Sequence, residues 1–112
     1  MLFRSVGATI NATSNALIQT TDADGFSGSA TTAISSTNSP TVTLDNASTV
    51  EYNGTSTQTI TTVVAYGNLK FSGSGGTYRI TSGLGTSTSA PLTLANGTVT
   101  ITNGTLDVNF GS

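Results

Sequence analysis

Short triplets of the form apolar–polar–apolar recur along this chain: Val42-Thr43-Leu44, Val50-Glu51-Tyr52, Leu69-Lys70-Phe71, Tyr78-Arg79-Ile80, Leu92-Thr93-Leu94, Val99-Thr100-Ile101 and Leu106-Asp107-Val108. Successive side chains of a strand point to opposite faces, so each triplet predicts a short strand with one face buried and one wet. Upstream, Ile10, Ile18, Phe26, Ile34, Val42 and Val50 stand eight residues apart. Beyond Val50 the interval drifts through Ile60, Leu69 and Tyr78. No segment carries apolar residues at i, i+3, i+4 and i+7 over a helical length, so no substantial helix is expected.

Turn residues separate the triplets. Asn53-Gly54, Asn96-Gly97 and Asn103-Gly104 tolerate positive φ and mark either tight hairpins or corners between strands. Gly73-Ser74-Gly75-Gly76 reads as the most flexible point. Pro40 and Pro91 each precede a triplet, where a missing N–H does least harm. The fold class is therefore all-β. A parallel β-helix (β-solenoid) fragment is expected, in which three units of about eight residues make a rung of about 24. The alternative is an antiparallel β-sandwich. The shortness of the triplets and the absence of Trp favour the β-helix.

Three regions differ in pattern. Residues 1–5 (MLFRS) do not match the rest of the chain and lack the apolar core and cleavage site of a signal peptide. They read as a scar or non-native leader on an internal fragment. Residues 6–40 are loosely patterned β repeats, and residues 41–112 form the β-helix repeat region.

Charge narrows the function classes. Three Lys and Arg face five Asp and Glu, a net charge of −2. That disfavours a nucleic-acid surface, whose affinity scales with phosphates neutralised, and a polybasic membrane patch. No apolar run approaches the ~20 residues that span a bilayer, so membrane insertion is not expected. Cys and His are absent, which removes disulfides and the commonest zinc ligands. Thr (24) and Ser (15) supply strand-forming, water-compatible side chains, and the regular apolar positions argue against a flexible Ser/Thr stalk.

Few residues offer chemistry. Asp22-Ala23-Asp24-Gly25 has the alternating carboxylates that open a calcium loop, but no acid follows at the closing position. Asp22 and Asp24 are thus the candidate metal ligands and calcium the candidate cofactor, against the plainer reading of a polar turn before Phe26. Asp45, Glu51 and Asp107 are the other acids. Sugar cleavage needs a carboxylate pair ~5–10 Å apart, whereas each of these stands alone in sequence. Glu51 and Asp107, central in their triplets, should face solvent, and Asp45 should sit at a turn. No catalytic residue is assigned, and an enzyme is not expected. Glu51 and Arg79, at a sequence separation of 28, would stack as an exposed ion pair worth ~0–1 kcal/mol if a rung has that length; Lys70 lies 19 from Glu51.

Tyr52, Tyr66 and Tyr78 are candidate ligand-binding residues, as a stacking platform for sugars. The competing reading puts Tyr52 and Tyr78 in the core, because they fill apolar slots of their triplets. Thr41-x-Thr43, Thr57-x-Thr59 and Thr98-x-Thr100-x-Thr102 place Thr on one strand face, the arrangement an ice-binding solenoid would need; Glu51, Lys70 and Arg79 interrupt such a face. Asn11, Asn46, Asn53, Asn96 and Asn103 each begin an Asn-x-Ser/Thr sequon.

The stretches STVEYNGTSTQTI and AYGNLKFSGSGGTYRITSG, from Ser48 to Ser82, resemble a repeat of large secreted, cell-surface, adhesin-like β-helix proteins of the Bacteroidetes type. The matching positions are Ser48, Thr49, Val50, Tyr52, Asn53, Gly54, Gln58, Thr59 and Ile60, then Tyr66, Asn68, Leu69, Phe71, Ser72, Gly73, Ser74 and Gly75. The tail LTLANGTVTITNGTLDV is similar to the units that continue such proteins. The resemblance covers about two-thirds of the chain; residues 1–40 depart from it. It implies a structural or adhesive repeat segment, without catalytic activity, located at a bacterial surface or secreted. Its partners would be neighbouring repeats of the same polypeptide and surface glycans or host proteins. A glycan-binding or carbohydrate-active β-helix is the alternative, and an ice-binding solenoid the second.

Overall fold

A computed structural model describes residues 7–61, 64–80 and 93–108. Within them the chain is all-β, apart from one short 3-10 turn at Ser36–Asn38. The strands are β1 (Thr9–Ala12), β2 (Leu17–Thr20), β3 (Thr41–Leu44), β4 (Thr49–Tyr52), β5 (Thr57–Thr59), β6 (Ala65–Phe71), β7 (Thr77–Ile80), β8 (Thr93–Ile101) and β9 (Thr105–Val108). They form three sheets, ordered β1-β3, β2-β4-β6-β8 and β5-β7-β9. None of these strands pairs with its neighbour in sequence; each pairs with one that the chain reaches only after visiting another sheet.

Every one of these strand pairs is parallel. This removes the antiparallel sandwich and its hairpins. Parallel strands need a long connection between partners, and here the chain supplies it by passing through the other sheets. The passes are unequal. The sequence separation is 32 for the partners Gln19 and Glu51, 19 for Glu51 and Lys70, and 30 for Lys70 and Thr100. The first interval contains the eight-residue spacing four times over, which is why Ile10 faces Val42 and Ile18 faces Val50.

Inward columns cross the sheets. Ile18, Val50 and Leu69 form one; Tyr52 and Phe71 another. Phe26 and Ile34 come from the long segment between β2 and β3 and join the same core as Val50, Tyr52, Ile60, Tyr66, Leu69, Phe71, Tyr78 and Ile80. Ile10, Ile18, Val42, Leu44, Val64 and Leu106 pack against that core, half-buried. The loosely patterned residues before position 41 and the regular ones after it therefore share one interior. Burying a large apolar side chain contributes roughly 1.5–3 kcal/mol. The aromatic rings add specific contacts: Phe71 stacks on Tyr78 with centroids 4.8 Å apart, and Tyr52 tilts against Phe71 at 6.0 Å.

The turns differ from expectation in three places. Asn96-Gly97 lies inside β8, where Tyr66 faces Leu94 but Asn68 faces Thr98; Gly67 alone opposes Ala95-Asn96-Gly97. The pair thus marks a bulge inside the strand Thr93–Ile101, not a corner. Gly54 does not have positive φ, whereas Gly104 does, at 86°. Gly73-Ser74-Gly75-Gly76 is packed at its two ends, while Ser74 and Gly75 are exposed. Gly73 and Gly76 are buried, and a Cβ on Gly73 would collide with the carbonyl oxygen of Gly54. Pro40 does precede a strand; Pro91, Leu92 and residues 1–5 lie outside the described residues.

Candidate functional site

The most concentrated polar chemistry is a ladder across the four-stranded sheet. Gln19, Glu51, Lys70 and Thr100 occupy one register column on β2, β4, β6 and β8. Glu51 is only 4% exposed. The expectation that it faces solvent is thus corrected. Alternation did place it on the outward face, but its neighbours on the flanking strands cover it. Gln19 Nε2 donates to Glu51 Oε2 at 2.8 Å, and Ser72 Oγ, just beyond β6, donates to Oε1. Lys70 Nζ lies 3.1 Å from Oε1. The Ser72 hydroxyl and, after it, the Gln19 amide and Lys70 hold the carboxyl below its usual pKa, against the opposing effect of burial.

This carboxylate is therefore ionised near neutral pH, with both oxygens occupied by donors. It is poorly suited to give a proton as a general acid. Its evident work is to lock three adjacent strands in register. Glu51 takes Lys70 as its partner rather than Arg79. Arg79 lies in another sheet, in register with Thr59 and Asp107, and is exposed.

The tyrosines are interior. Tyr52, Tyr66 and Tyr78 are each 0% exposed, so they form no surface platform for sugars. Their hydroxyls are bonded within the core. Tyr52 and Tyr66 hydroxyls lie 3.0 Å apart, Tyr66 donates to the Thr61 carbonyl at 2.6 Å, and Tyr52 accepts from Phe26 N–H at 3.3 Å. The Tyr78 hydroxyl accepts from Gly73 N–H. Burial pushes the Tyr52 and Tyr66 hydroxyls well above the ordinary tyrosine pKa; for Tyr66 the charge of Tyr52 adds to it.

Asp22 and Asp24 form a turn. Asp22 Oδ1 accepts from Asp24 N–H at 2.9 Å, and Gly25 N–H closes on the Asp22 carbonyl at 3.2 Å. Among the described residues no group of three or more acids converges as a metal site would require. Asp45 likewise caps its turn, accepting from Ala47 N–H at 2.8 Å. The Asp107 side chain lies outside what is described. Thr57, Thr77 and Thr105 align as one column of threonines on β5-β7-β9, but the register column two residues further on reads Thr59, Arg79, Asp107.

Gln58 carries a structural role that nothing in the sequence pattern assigned beyond its place in the resemblance. Its side chain is fully buried. Oε1 accepts from Gly54 N–H at 2.7 Å, while Nε2 donates to the carbonyls of Thr20 at 2.9 Å and Asp22 at 3.0 Å. One amide thus ties the ends of β2 and β4 to β5. The only available signal was its position between two outward threonines, which points it inward.

A recess of about 200 Å³ opens beside the edge strand β2, lined by Ile10, Ile18, Gln19, Thr20, Phe26, Ala33 and Ile34. A second, of about 320 Å³, lies among Ser27, Gly28, Ser36, Ser39, Pro40, Val42 and Val64. Neither contains a carboxylate or a basic side chain. No helix among the described residues is long and apolar enough to cross a membrane. No family model, curated protein or solved structure matches the chain.

Proposed function

We propose that this chain is a segment of a parallel β-helix and serves as a structural, adhesive scaffold at a bacterial surface. The observation that carries this reading is the stacking of in-register parallel strands in three sheets, each pair separated by a pass of the chain through one other sheet. Such a stack transmits load through rows of backbone hydrogen bonds between successive passes. The polar chemistry supports the same reading. Glu51, Gln58 and the tyrosine hydroxyls are spent on holding strands together, and their donors and acceptors are already bonded. The Ser- and Thr-rich exterior keeps such a rod wetted and offers hydroxyls to surface glycans or host proteins.

Single-molecule pulling between the chain ends tests the proposal. A scaffold should unravel in successive steps, each releasing one pass, or roughly 6–11 nm of extended chain. Collapse in one step at low force would refute it. Hydrolysis of a polysaccharide panel, abolished by Glu51→Gln, would instead establish the carbohydrate-active alternative.

A further inference from the structure

The tripeptide Asn-Gly-Thr occurs at residues 53–55, 96–98 and 103–105. Asn-Gly is the sequence most open to self-modification, because the glycine amide meets no side-chain hindrance. The structure treats the first and last copies differently. We propose that Asn103 is a structure-directed deamidation site, and that Asn53, in the same tripeptide, is protected.

At Asn103 the reacting groups are already together. Gly104 N–H points at the side-chain Oδ1 of Asn103, with N and O 2.9 Å apart, and both residues are exposed. The amide carbon Cγ is bonded to that oxygen, so it stands within about 4.1 Å of the Gly104 nitrogen. The hydrogen bond that must open for attack is exposed, where water replaces it at little cost. Gly104 N, after losing its proton to hydroxide, forms a bond to Cγ. Nδ2 takes a proton from water, the Cγ–Nδ2 bond breaks, and ammonia leaves while the hydroxide is returned. Water then opens the five-membered imide at either carbonyl, giving aspartate or isoaspartate. No oxidant, metal or enzyme is required.

At Asn53 the same nucleophile is occupied. Gly54 is buried, and its N–H donates to Gln58 Oε1 at 2.7 Å. Asn53 N–H is bonded to the Thr20 carbonyl at 3.0 Å, and its Oδ1 is buried away from any donor. Ring closure there requires breaking a buried hydrogen bond first, which slows it by about ten-fold or more. Glycine cannot be replaced at 104 to remove the hazard. Its φ is 86°, and a Cβ would come within 2.6 Å of the Gly76 carbonyl oxygen.

The test is timed incubation of the intact folded protein at mildly alkaline pH. Peptide mapping by mass spectrometry follows, with aspartate and isoaspartate forms separated. Asn103 should convert about ten-fold faster than Asn53, at a rate that rises with pH. In urea, where the tripeptides lose their surroundings, the two rates should come together. Gln58→Met should raise the Asn53 rate in the folded protein. Equal rates in the folded state, a faster Asn53, or an unchanged ratio in urea would each overturn the proposal. The urea comparison stands even if the variant fails to fold.

Discussion

Replacing Gln58 by Met should cost this fold more than any change on its surface. Gln58→Met keeps the length of the side chain and removes three hydrogen bonds. The consequences are unequal. The Thr20 carbonyl still accepts from Asn53 N–H, and the Asp22 carbonyl still accepts from Gly25 N–H. Each loses only a second bond, at about 0.5–1.5 kcal/mol. The Gly54 N–H is buried and loses its acceptor, which costs about 1–3 kcal/mol. The sum is about 2–6 kcal/mol, a large share of the roughly 5–15 kcal/mol that stabilises a domain. In urea unfolding, with a slope of about 1–3 kcal/mol per molar, the midpoint should fall by on the order of 1–3 M. Gln19→Met is the control: Gln19 is exposed and donates once, to Glu51, so its loss should stay near ~1 kcal/mol. Hydrogen exchange gives the local readout, because the Gly54 amide should lose protection ahead of the strand amides. A Gln58→Met protein within about 1 kcal/mol of the parent, with Gly54 still protected, would refute the reasoning.

The Glu51 carboxyl has a lowered pKa in the folded protein, so its stabilisation is present above the ordinary value of 4.5 and is lost as pH falls through the folded value. Glu51→Gln should therefore flatten the acid limb of a stability–pH profile. Lys70→Met should cost no more than about 1 kcal/mol, because Lys70 is 37% exposed and Ser72 and Gln19 still hold the carboxylate. At the alkaline end the sign reverses. The raised Tyr52 and Tyr66 leave stability unaffected below about pH 10 and erode it above, so tyrosinate absorbance should rise in step with unfolding. Gly73→Ala should destabilise by about 1–3 kcal/mol or prevent folding, measured by thermal melting, because the new methyl meets the Gly54 carbonyl oxygen.

The strands were legible where one face is apolar. Val42-x-Leu44, Leu69-x-Phe71 and Tyr78-x-Ile80 all lie in strands, with the middle residue less buried than those beside it. The eight-residue spacing was legible too, because it carried real register up to Val50. It broke down afterwards because the next pass, from Glu51 to Lys70, is shorter and not a multiple of eight. What could not be read was which strands lie side by side. The burial of Glu51 depends on Gln19, Lys70 and Ser72 converging on it from the strands to either side. The role of Gln58 depends on backbone atoms of Thr20, Asp22 and Gly54. Those partners leave no mark in the local pattern. Asn96-Gly97 misled for the same reason, since a glycine in an extended bulge and one in a corner look alike in sequence.

The unequal lengths of the passes also bear on the order of folding. With no hairpins among the described strands to start from, every strand pair must close a long loop before it gains anything. Closing the short pass between β4 and β6 is cheaper than closing the longer one between β2 and β4, by about 0.5 kcal/mol of chain entropy. A similarly short pass sets Thr57 of β5 beside Thr77 of β7, and the Glu51–Lys70 pair bridges β4 and β6 in the same part of the chain. The middle of the chain is thus the natural nucleus, on which the longer passes at either side condense.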